Sequence, residues 1–385
     1  MRSQRFKFLT TGSQRKRCGL TTIQIDISNI VDQSECDFIK QEYTKTAAVN
    51  PAARWLVVIA LLAGGCVPAA KDEVIIYTAL DKEFSEPILA QFEQQTGIHV
   101  RAKYDQESNK TVGLANAILQ QGDRARCDLF WNNEVLHTER LKRAGLLRPF
   151  DFANQELFPA EYRDPERMWQ GFAARARVLI VNTNLLGDPS QWPTSVKDLA
   201  GPMWKGRCTL ARPLFGTSAT HAAVLFQKLG RPQAEDFYRR VNDVAVLQGG
   251  NKQVAVRVGE GQFAFGLTDT DDAIVELEAG RPVAIIFPDQ GPDQLGTLMI
   301  PNTLAAIRRG GDMTANTQRL IDYLLSPEVE AALAAGSSAQ FPLNRQDHSP
   351  HRLDWRGKKF MPCDFGAAAK EWDAVSRLLE EIFPL

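Results

Sequence analysis

Short apolar runs alternate with amphipathic segments through the first part of the chain that has a clear pattern, residues 74–143. Each run predicts a buried strand, at residues 74–78, 99–104 and 127–131. Each strand is followed by a predicted helix, at residues 86–96, 109–121 and 135–143. We expect Ser85 to cap the first helix and Gly97 to end it. Strands alternating with helices are typical of parallel βαβ units, so the pattern predicts an α/β fold.

A second series of the same kind begins after a segment rich in proline and tryptophan, residues 189–204. An apolar run at residues 176–181 precedes this segment, and together they predict the crossover into a second lobe. Further strands are predicted at residues 208–211, 263–267 and 283–287, and further helices at residues 217–229, 233–241, 314–325 and 328–335. Residues 296–308 are expected to cross back to the first series.

The chain of 385 residues is longer than one hydrophobic core usually supports, which favours two lobes. We predict a first lobe from residues 72–171 and 302–345, a second lobe from residues 172–301, and a C-terminal tail from residues 346–385. The tail carries an amphipathic helix at about residues 366–382. Its predicted apolar face consists of Trp372, Val375, Leu378, Leu379 and Ile382.

The central candidate for chemistry is the junction Thr268-Asp269-Thr270-Asp271-Asp272, between a predicted strand and a helix expected from Ala273. Open α/β sheets bind their ligands beyond the carboxyl ends of the strands. Three carboxylates within four residues repel one another, so a cation, a donor-rich ligand or a helix N-terminus must compensate them. One alternative is structural: Thr268 or Asp269 caps the helix and the other acids favour its dipole.

Four further strand–helix junctions carry polar side chains. Gly216-Thr217-Ser218 at a predicted helix start offers backbone N–H groups and hydroxyls, which suits a phosphate or carboxylate, although an ordinary N-cap fits equally. Lys110 lies at another helix start and is a candidate for an anion, with a solvated lysine as the alternative. Asp81 and Asn133 follow strands whose ends are expected to face the cleft. The sequence has no motif for a catalytic nucleophile.

The N-terminal region differs from the rest. Residues 49–66 combine Arg54, the apolar run 55–62 and small residues before Cys66. This pattern predicts a secretory signal and is too short for a membrane span of about 20 residues. Small residues ending at Cys66 resemble a bacterial lipoprotein signal, in which the cysteine is acylated. Because a signal is expected near the start of translation, we expect Val49 to be the start and residues 1–48 to be a doubtful extension.

Composition excludes some partners. Lys plus Arg (45) nearly balances Asp plus Glu (46) without a basic stripe, which argues against nucleic acid. The cysteines have no metal-site spacing, and Cys127 and Cys208 are expected to be small core residues.

The order of these pieces resembles the ferric-ion-binding branch of bacterial extracellular solute-binding proteins. The resemblance rests on VIIYTALDKEFSEPILAQFEQQTGIHV, DLFWNNEVLHTERLKRAGLL, ARARVLIVNTNLL and SPEVEAALAAGSSAQFPLN in that order, and it covers about residues 72–345. It implies the α/β type II periplasmic-binding architecture: two lobes of mixed sheets flanked by helices, joined by hinge strands. It also implies that the protein delivers a solute to an ABC permease of the inner membrane. Together with the predicted lipoprotein signal, we expect an exported, monomeric lipoprotein of the cell envelope without enzymatic activity or a cofactor.

The predicted metal site departs from that family. Its iron-binding members have a histidine after the first strand, a glutamate after the third and two adjacent tyrosines in the second lobe. Asp81, Asn133, Asp271 and Asp272 stand at these places. Carboxylates can still hold a hard cation, so Asp271 and Asp272 remain candidate metal ligands and iron uptake remains an alternative. We favour an organic solute, with hydroxyls or an amine on Asp271 and Asp272 and a phosphate or phosphonate on Gly216-Thr217-Ser218.

Two other functions compete with transport. A metal-dependent hydrolase would use Asp269, Asp271 and Asp272 as ligands, but histidine support for such a site is sparse. A sensory protein would present its liganded form to a membrane receptor, and neighbouring permease and ATPase genes would instead favour import.

Overall fold

The computed structural model describes residues 73–105, 112–346 and 352–384. Within them the chain forms ten strands and eleven α-helices. The strands are β1 (Glu73–Thr78), β2 (His99–Tyr104), β3 (Leu129–Asn132), β4 (Leu147–Arg148), β5 (Trp169–Asn182), β6 (Cys208–Ala211), β7 (Val246–Gln248), β8 (Phe265–Asp269), β9 (Val283–Ile286) and β10 (Met299–Ile307). The helices are α1 (Lys82–Thr96), α2 (Val112–Gln121), α3 (Leu136–Arg143), α4 (Gly216–Leu229), α5 (Arg231–Val244), α6 (Asn251–Gly259), α7 (Thr270–Glu278), α8 (Ala315–Leu324), α9 (Pro327–Ala335), α10 (Phe365–Lys370) and α11 (Trp372–Ile382).

The first group of strands follows the predicted βαβ pattern. β1 is parallel to both β2 and β3, and β10 runs antiparallel to β3. The first half of β5 pairs with β10, and β4 pairs with the end of β10. Because β1 and β3 are parallel neighbours, the loops that follow them lie at the same edge of the sheet. Asp81 and Asn133 are in these loops.

The second group of strands shares β5 with the first. The second half of β5 runs antiparallel to β8 and β9, while β6 lies parallel between β7 and β8. The carboxyl ends of β6, β7 and β8 therefore lie at one edge. We call β1–β4, β10 and helices α1–α3, α8 and α9 the first lobe, and β6–β9 with α4–α7 the second lobe. The residue boundaries predicted for the lobes remain predictions; the predicted break at residues 171–172 lies inside β5.

β5 extends well beyond the apolar run at residues 176–181, which was expected to lead into the second lobe. The run has six residues, whereas the strand has 14, and every one of them is buried. It contains Gln170, Arg175 and Arg177, and such polar side chains interrupt the apolar pattern on which strand prediction depends. Burial of charged groups in a strand requires partners, and these partners form the core of the candidate site.

Several element boundaries differ from prediction. α1 begins at Lys82, with Asp81 at its N-cap position, so Ser85 lies inside the helix; its hydroxyl donates to the carbonyls of Leu80 and Asp81. Gly97 ends this helix in the left-handed conformation, as predicted. β3 begins at Leu129, which places Cys127 before the strand.

The junction after β8 is also shifted. The strand continues to Asp269 and α7 begins at Thr270, three residues before the predicted start. Asp269 stands at the N-cap position but makes no side-chain cap bond. Capping by Asp269 therefore does not explain the acidic cluster. The alternative that Thr268 caps the helix also fails, because Thr268 lies within the strand.

The C-terminal tail folds as two helices where one was predicted, with the break at Glu371. The predicted apolar face of the second helix is confirmed, since all five of its residues are buried. α10 packs on α3 and α4, and α11 packs on α4 and α5. Arg212, at the end of β6, donates to the carbonyls of Phe383 (2.5 Å) and Pro384 (2.9 Å). The tail is thus attached to both lobes.

Cys127 and Cys208 are fully buried, as expected of core cysteines. Among the described residues, no helix is long and apolar enough to cross a membrane. The predicted signal, Cys66 and residues 1–48 lie outside the described residues, and so does Lys110.

Gly266 in β8 provides a test of core packing. A Cβ atom at this position would lie 2.6 Å from Val254 Cγ1 and 2.9 Å from Thr209 Cγ2 and the Thr209 carbonyl oxygen. We expect Gly266→Ala to lower the free energy of unfolding by about 1–3 kcal/mol, because the packed neighbours must shift. Gly310→Ala is the control, since a Cβ atom added there would have no neighbour within 4 Å. Chemical denaturation measures both; equal effects would contradict the prediction.

Candidate ligand-binding site

A cavity of about 460 Å³ lies where the carboxyl ends of β6, β7 and β8 face the loops after β1 and β3. This volume suits a small organic solute. Eight of the ten sequence-predicted ligand residues line it: Asp81, Asn133, Gly216, Thr217, Ser218, Asp269, Asp271 and Asp272. Thr268 does not line the cavity; it is fully buried, and its hydroxyl donates to the Asn251 carbonyl at 3.0 Å. That placement corrects the expectation for Thr268.

Two helix N-termini meet at the cavity. α4 begins at Gly216, whose φ of +53° suits glycine, and α6 begins at Asn251 after Gly249 and Gly250. Neither N-terminus has a side-chain cap, because the N-cap residues are Phe215 and Gly250. Uncapped helix N-termini present N–H groups and the positive end of the helix dipole, which together favour an anion.

A buried ion pair lies behind the start of α4. Arg177 in β5 stands directly opposite Asp269 in β8 in the strand register, and its Nη1 donates to Asp269 Oδ1 at 2.7 Å. The same guanidinium donates to Thr217 Oγ1 at 3.3 Å and to Ser218 Oγ at 3.2 Å. Thr217 in turn donates to Asp269 Oδ2 at 2.5 Å. The hydroxyls of α4 therefore bind the protein's own side chains, and an ordinary N-cap does not account for them.

Asn251 closes this network. Its Nδ2 donates to Thr217 Oγ1 at 2.8 Å and to Asp269 Oδ2 at 3.0 Å, and its Oδ1 accepts from Ser218 at 3.1 Å. Burial disfavours the charge on Asp269, but Arg177, Arg175 and the Thr217 hydroxyl outweigh it and hold its pKa below the usual value. The ionised Asp269 thus fixes the starts of α4 and α6 relative to each other.

Arg175, two residues before Arg177, connects the two sides of the cavity. Its Nη1 donates to Asp271 Oδ2 at 3.4 Å in the second lobe, and its Nη2 donates to the Asn133 carbonyl in the first lobe. Burial raises the pKa of Asp271, and the Arg175 guanidinium opposes that increase without cancelling it. The expected compensation of the three carboxylates is therefore provided largely by Arg175 and Arg177.

The donor set fits a ferric ion poorly. Carboxylate oxygens of Asp269, Asp271 and Asp272 lie within 4.8 Å of one another, a spacing that can hold a metal ion. Two of the three already pair with arginines at 2.7 and 3.4 Å, and no tyrosine is among the residues that line the cavity. Two guanidinium groups next to these oxygens repel a cation.

Five polar or charged residues of the site were not predicted from the sequence: Arg175, Arg177, Arg212, Asn251 and Lys252. Two arginines at positions i and i+2 of an apolar run were the available signal, since buried charges require partners and three carboxylates occur in β8 and α7. Lys252 is exposed, and its Nζ lies 4.0 Å from Glu83 Oε1 of the first lobe.

His221 lies in α4 just behind this network and is buried, with neither ring nitrogen hydrogen-bonded. Burial, reinforced by Arg177 and opposed by Asp269, lowers its pKa to about 3. Protons therefore bind the unfolded state preferentially, and stability is lost as the pH falls from about 6.5 towards 3. As the pH falls through that window, we expect the free energy of unfolding of His221→Leu to rise relative to that of the native protein by up to about 1.4 kcal/mol per pH unit.

Denaturant titrations at pH 7.5, 6 and 5 measure this difference. His137→Leu is the matched comparison and is expected to show the same pH dependence, because burial also lowers the pKa of His137 to about 3. A difference in stability that stays constant with pH would contradict the prediction for His221.

Two α/β lobes that share a strand, with a polar cavity between the carboxyl ends of their strands, have the fold of a type II periplasmic binding protein. This confirms the predicted fold class. The sequence profile described as "Bacterial extracellular solute-binding protein" matches residues 128–365, so the chain belongs to that family.

Curated relatives are named for iron. The chain is 28% identical to the Fe(3+)-binding periplasmic protein of Serratia marcescens over 208 residues, 54% of this chain and 60% of that protein. It is 24% identical to the major ferric iron-binding protein of Neisseria meningitidis over 333 residues, 84% of this chain and 97% of that protein.

Solved structures with the same fold contain two kinds of ligand. Iron-bound HitA from Pseudomonas aeruginosa matches with a TM-score of 0.71 at 23% identity, covering 80% of this chain and 99% of that one. AfuA from Actinobacillus pleuropneumoniae, with fructose-6-phosphate bound, matches with a TM-score of 0.70 at 18% identity, covering 81% and 99%. At these identities the likeness concerns the fold.

Proposed function

We propose that the protein binds an organic anion carrying a phosphate or phosphonate group and delivers it to an ABC permease. The observation that carries this proposal is the convergence of two uncapped helix N-termini, those of α4 and α6, on one cavity. A phosphate accepts several N–H bonds and is stabilised by the dipoles of both helices. Arg212 and Lys252 also line the cavity and add positive charge.

The cavity also has acidic residues, which suit hydroxyl or amine groups. Asp81 of the first lobe and Asp271 and Asp272 of the second lobe line it. Carboxylates accept hydrogen bonds from sugar hydroxyls or from an ammonium group. A solute with both a phosphate and such donors matches both parts of the lining, and the fructose-6-phosphate bound by AfuA is of this kind.

Ferric iron is the second candidate, because the curated relatives are named for it. Asp271 and Asp272 would then be the metal ligands, supported by Asp81 and Asn133. The pairing of Arg175 with Asp271 argues against this choice, since a metal ion would have to replace the guanidinium.

The remaining parts of the proposal follow from family membership and the sequence. We expect an exported protein of the cell envelope, anchored through an acylated Cys66 and monomeric, that acts without catalysis. Mass spectrometry of the purified protein tests the anchor as a lipid mass on the peptide that begins at Cys66.

Isothermal titration with fructose 6-phosphate, fructose, inorganic phosphate and ferric citrate separates the candidates. We expect fructose 6-phosphate to bind most tightly, phosphate weakly and fructose not at all. Native mass spectrometry with metal analysis of the same sample gives the solute bound on purification. Stoichiometric iron, or tightest binding of ferric ion, would overturn the organic-anion proposal. Release of inorganic phosphate from fructose 6-phosphate would indicate a hydrolase instead.

A further inference from the structure

Among the described residues, a direct hydrogen bond joins the lobes outside the cavity lining. Thr220 in α4 of the second lobe donates its hydroxyl to Glu134 Oε2 of the first lobe at 2.6 Å. Thr220 is 1% exposed and Glu134 is fully buried, and neither lines the cavity. Thr220 lies two residues after Ser218, in the helix whose start faces the cavity.

Glu134 is held firmly on the first-lobe side. Its carboxylate accepts from Asn132 Nδ2 at 2.6 Å and from the backbone N–H groups of Leu136 and His137 at the start of α3. Burial raises the pKa of Glu134, while the Thr220 hydroxyl and these donors act in the opposite direction. A carboxyl group with this many fixed donors has one position, so Thr220 can reach it in one relative placement of α3 and α4.

The C-terminal tail covers the same pair of helices. α10 packs on both α3 and α4, with Phe365, Ala368 and Ala369 buried. Arg143 of α3 donates to the carbonyl of Ala369 at 2.7 Å. α3, α4 and α10 therefore form one packed contact between the lobes, and the Thr220–Glu134 bond lies within it.

We propose that Thr220 and Glu134 form a closure contact, which couples the relative position of the lobes to the helix start that binds the anion. Thr220 is a positioning residue: it does not contact the solute but favours the placement of the lobes in which residues of both lobes contact the solute. Removal of its hydroxyl lowers the population of that placement, and apparent affinity falls in proportion. The effect on solute affinity rests on the proposed function, whereas the effect on lobe position does not.

Thr220→Val is the test, and Thr209→Val is its matched control. Thr209 in β6 is also a fully buried threonine, but its hydroxyl donates to the Val246 carbonyl and accepts from Gln248 within the second lobe. We expect Thr220→Val to weaken fructose 6-phosphate binding about tenfold, as loss of one hydrogen bond can. We expect it also to increase the radius of gyration of the solute-free protein in small-angle X-ray scattering. Thr209→Val should lower the melting temperature by a similar amount without either effect.

Thr220→Ser retains the donor and is expected to restore the native radius and affinity. Native behaviour of Thr220→Val in both measurements, or equal effects of Thr209→Val, would overturn the proposal. If the native protein binds no phosphorylated solute, the proposed function fails, and the radius without solute still decides whether the contact holds the lobes.

Discussion

Replacement of Arg177 by methionine is expected to lower the free energy of unfolding by about 3–5 kcal/mol, the usual cost of leaving one charge of a buried pair without its partner. Arg177 is 1% exposed, and its guanidinium binds Asp269, Thr217 and Ser218. Without it, Asp269 keeps hydrogen bonds from Thr217 and Asn251 but loses the adjacent positive charge that lowers its pKa.

Chemical denaturation at pH 7.5 measures the loss. Arg240→Met is the control, because Arg240 pairs with Asp236 on the exposed face of α5, where such pairs contribute about 0.2–1 kcal/mol. The double variant Arg177→Met with Asp269→Leu is expected to recover part of the stability, since no buried charge then lacks a partner. An Arg177→Met protein as stable as the Arg240→Met protein would show that the buried pair contributes little.

Replacement of Arg175 by methionine is expected to weaken fructose 6-phosphate binding about a hundredfold, equivalent to about 2.7 kcal/mol. Arg175 is buried. It pairs with Asp271 of the second lobe and donates to the Asn133 carbonyl of the first lobe. The substitution removes a cation and leaves the Asp271 carboxylate to repel a dianion. Two charges about 4 Å apart interact by about 4 kcal/mol near a protein surface, so a loss of this size is expected.

Isothermal titration of three variants isolates the charge effect. Lys205→Met removes an exposed cation outside the cavity and is expected to bind normally. Arg175→Met combined with Asp271→Asn restores the charge balance and is expected to recover about half of the lost free energy. If the double variant binds no better than Arg175→Met, charge is not the role of Arg175.

Sequence patterns predicted most elements because their apolar periods are regular. The strand at residues 208–211 matches β6, and the face of α11 was predicted residue by residue. Only residues 176–181 of β5 were visible as an apolar run, because Gln170 and Arg175 interrupt the apolar pattern before them. The start of α7 was misplaced because Thr268 and Asp269 are polar residues in a buried strand, where tertiary partners override local propensity.

The candidate site was predicted in outline for a topological reason. Asp81, Asn133 and the acids after β8 follow strands whose carboxyl ends meet, and alternation of strand and helix is visible in the sequence. Which of these side chains face a solute is not visible there. Asp269 and Thr217 bind Arg177, and that pairing depends on the register of β5 against β8, which no local pattern encodes.

The Arg177–Asp269 network limits the positions at which substitutions can change the solute that such a protein binds. Arg177, Asp269, Thr217 and Asn251 form a closed frame in which each side chain satisfies the others, so a change at one of them costs stability before it alters recognition. A one-residue insertion in β5 would turn Arg177 to the opposite face of the sheet and abolish the frame. Asp271 and Asp272 begin just two residues beyond it, in the first turn of α7. New solute chemistry can therefore be acquired there by point substitution, while the helix starts that we propose to bind the anion stay fixed in place.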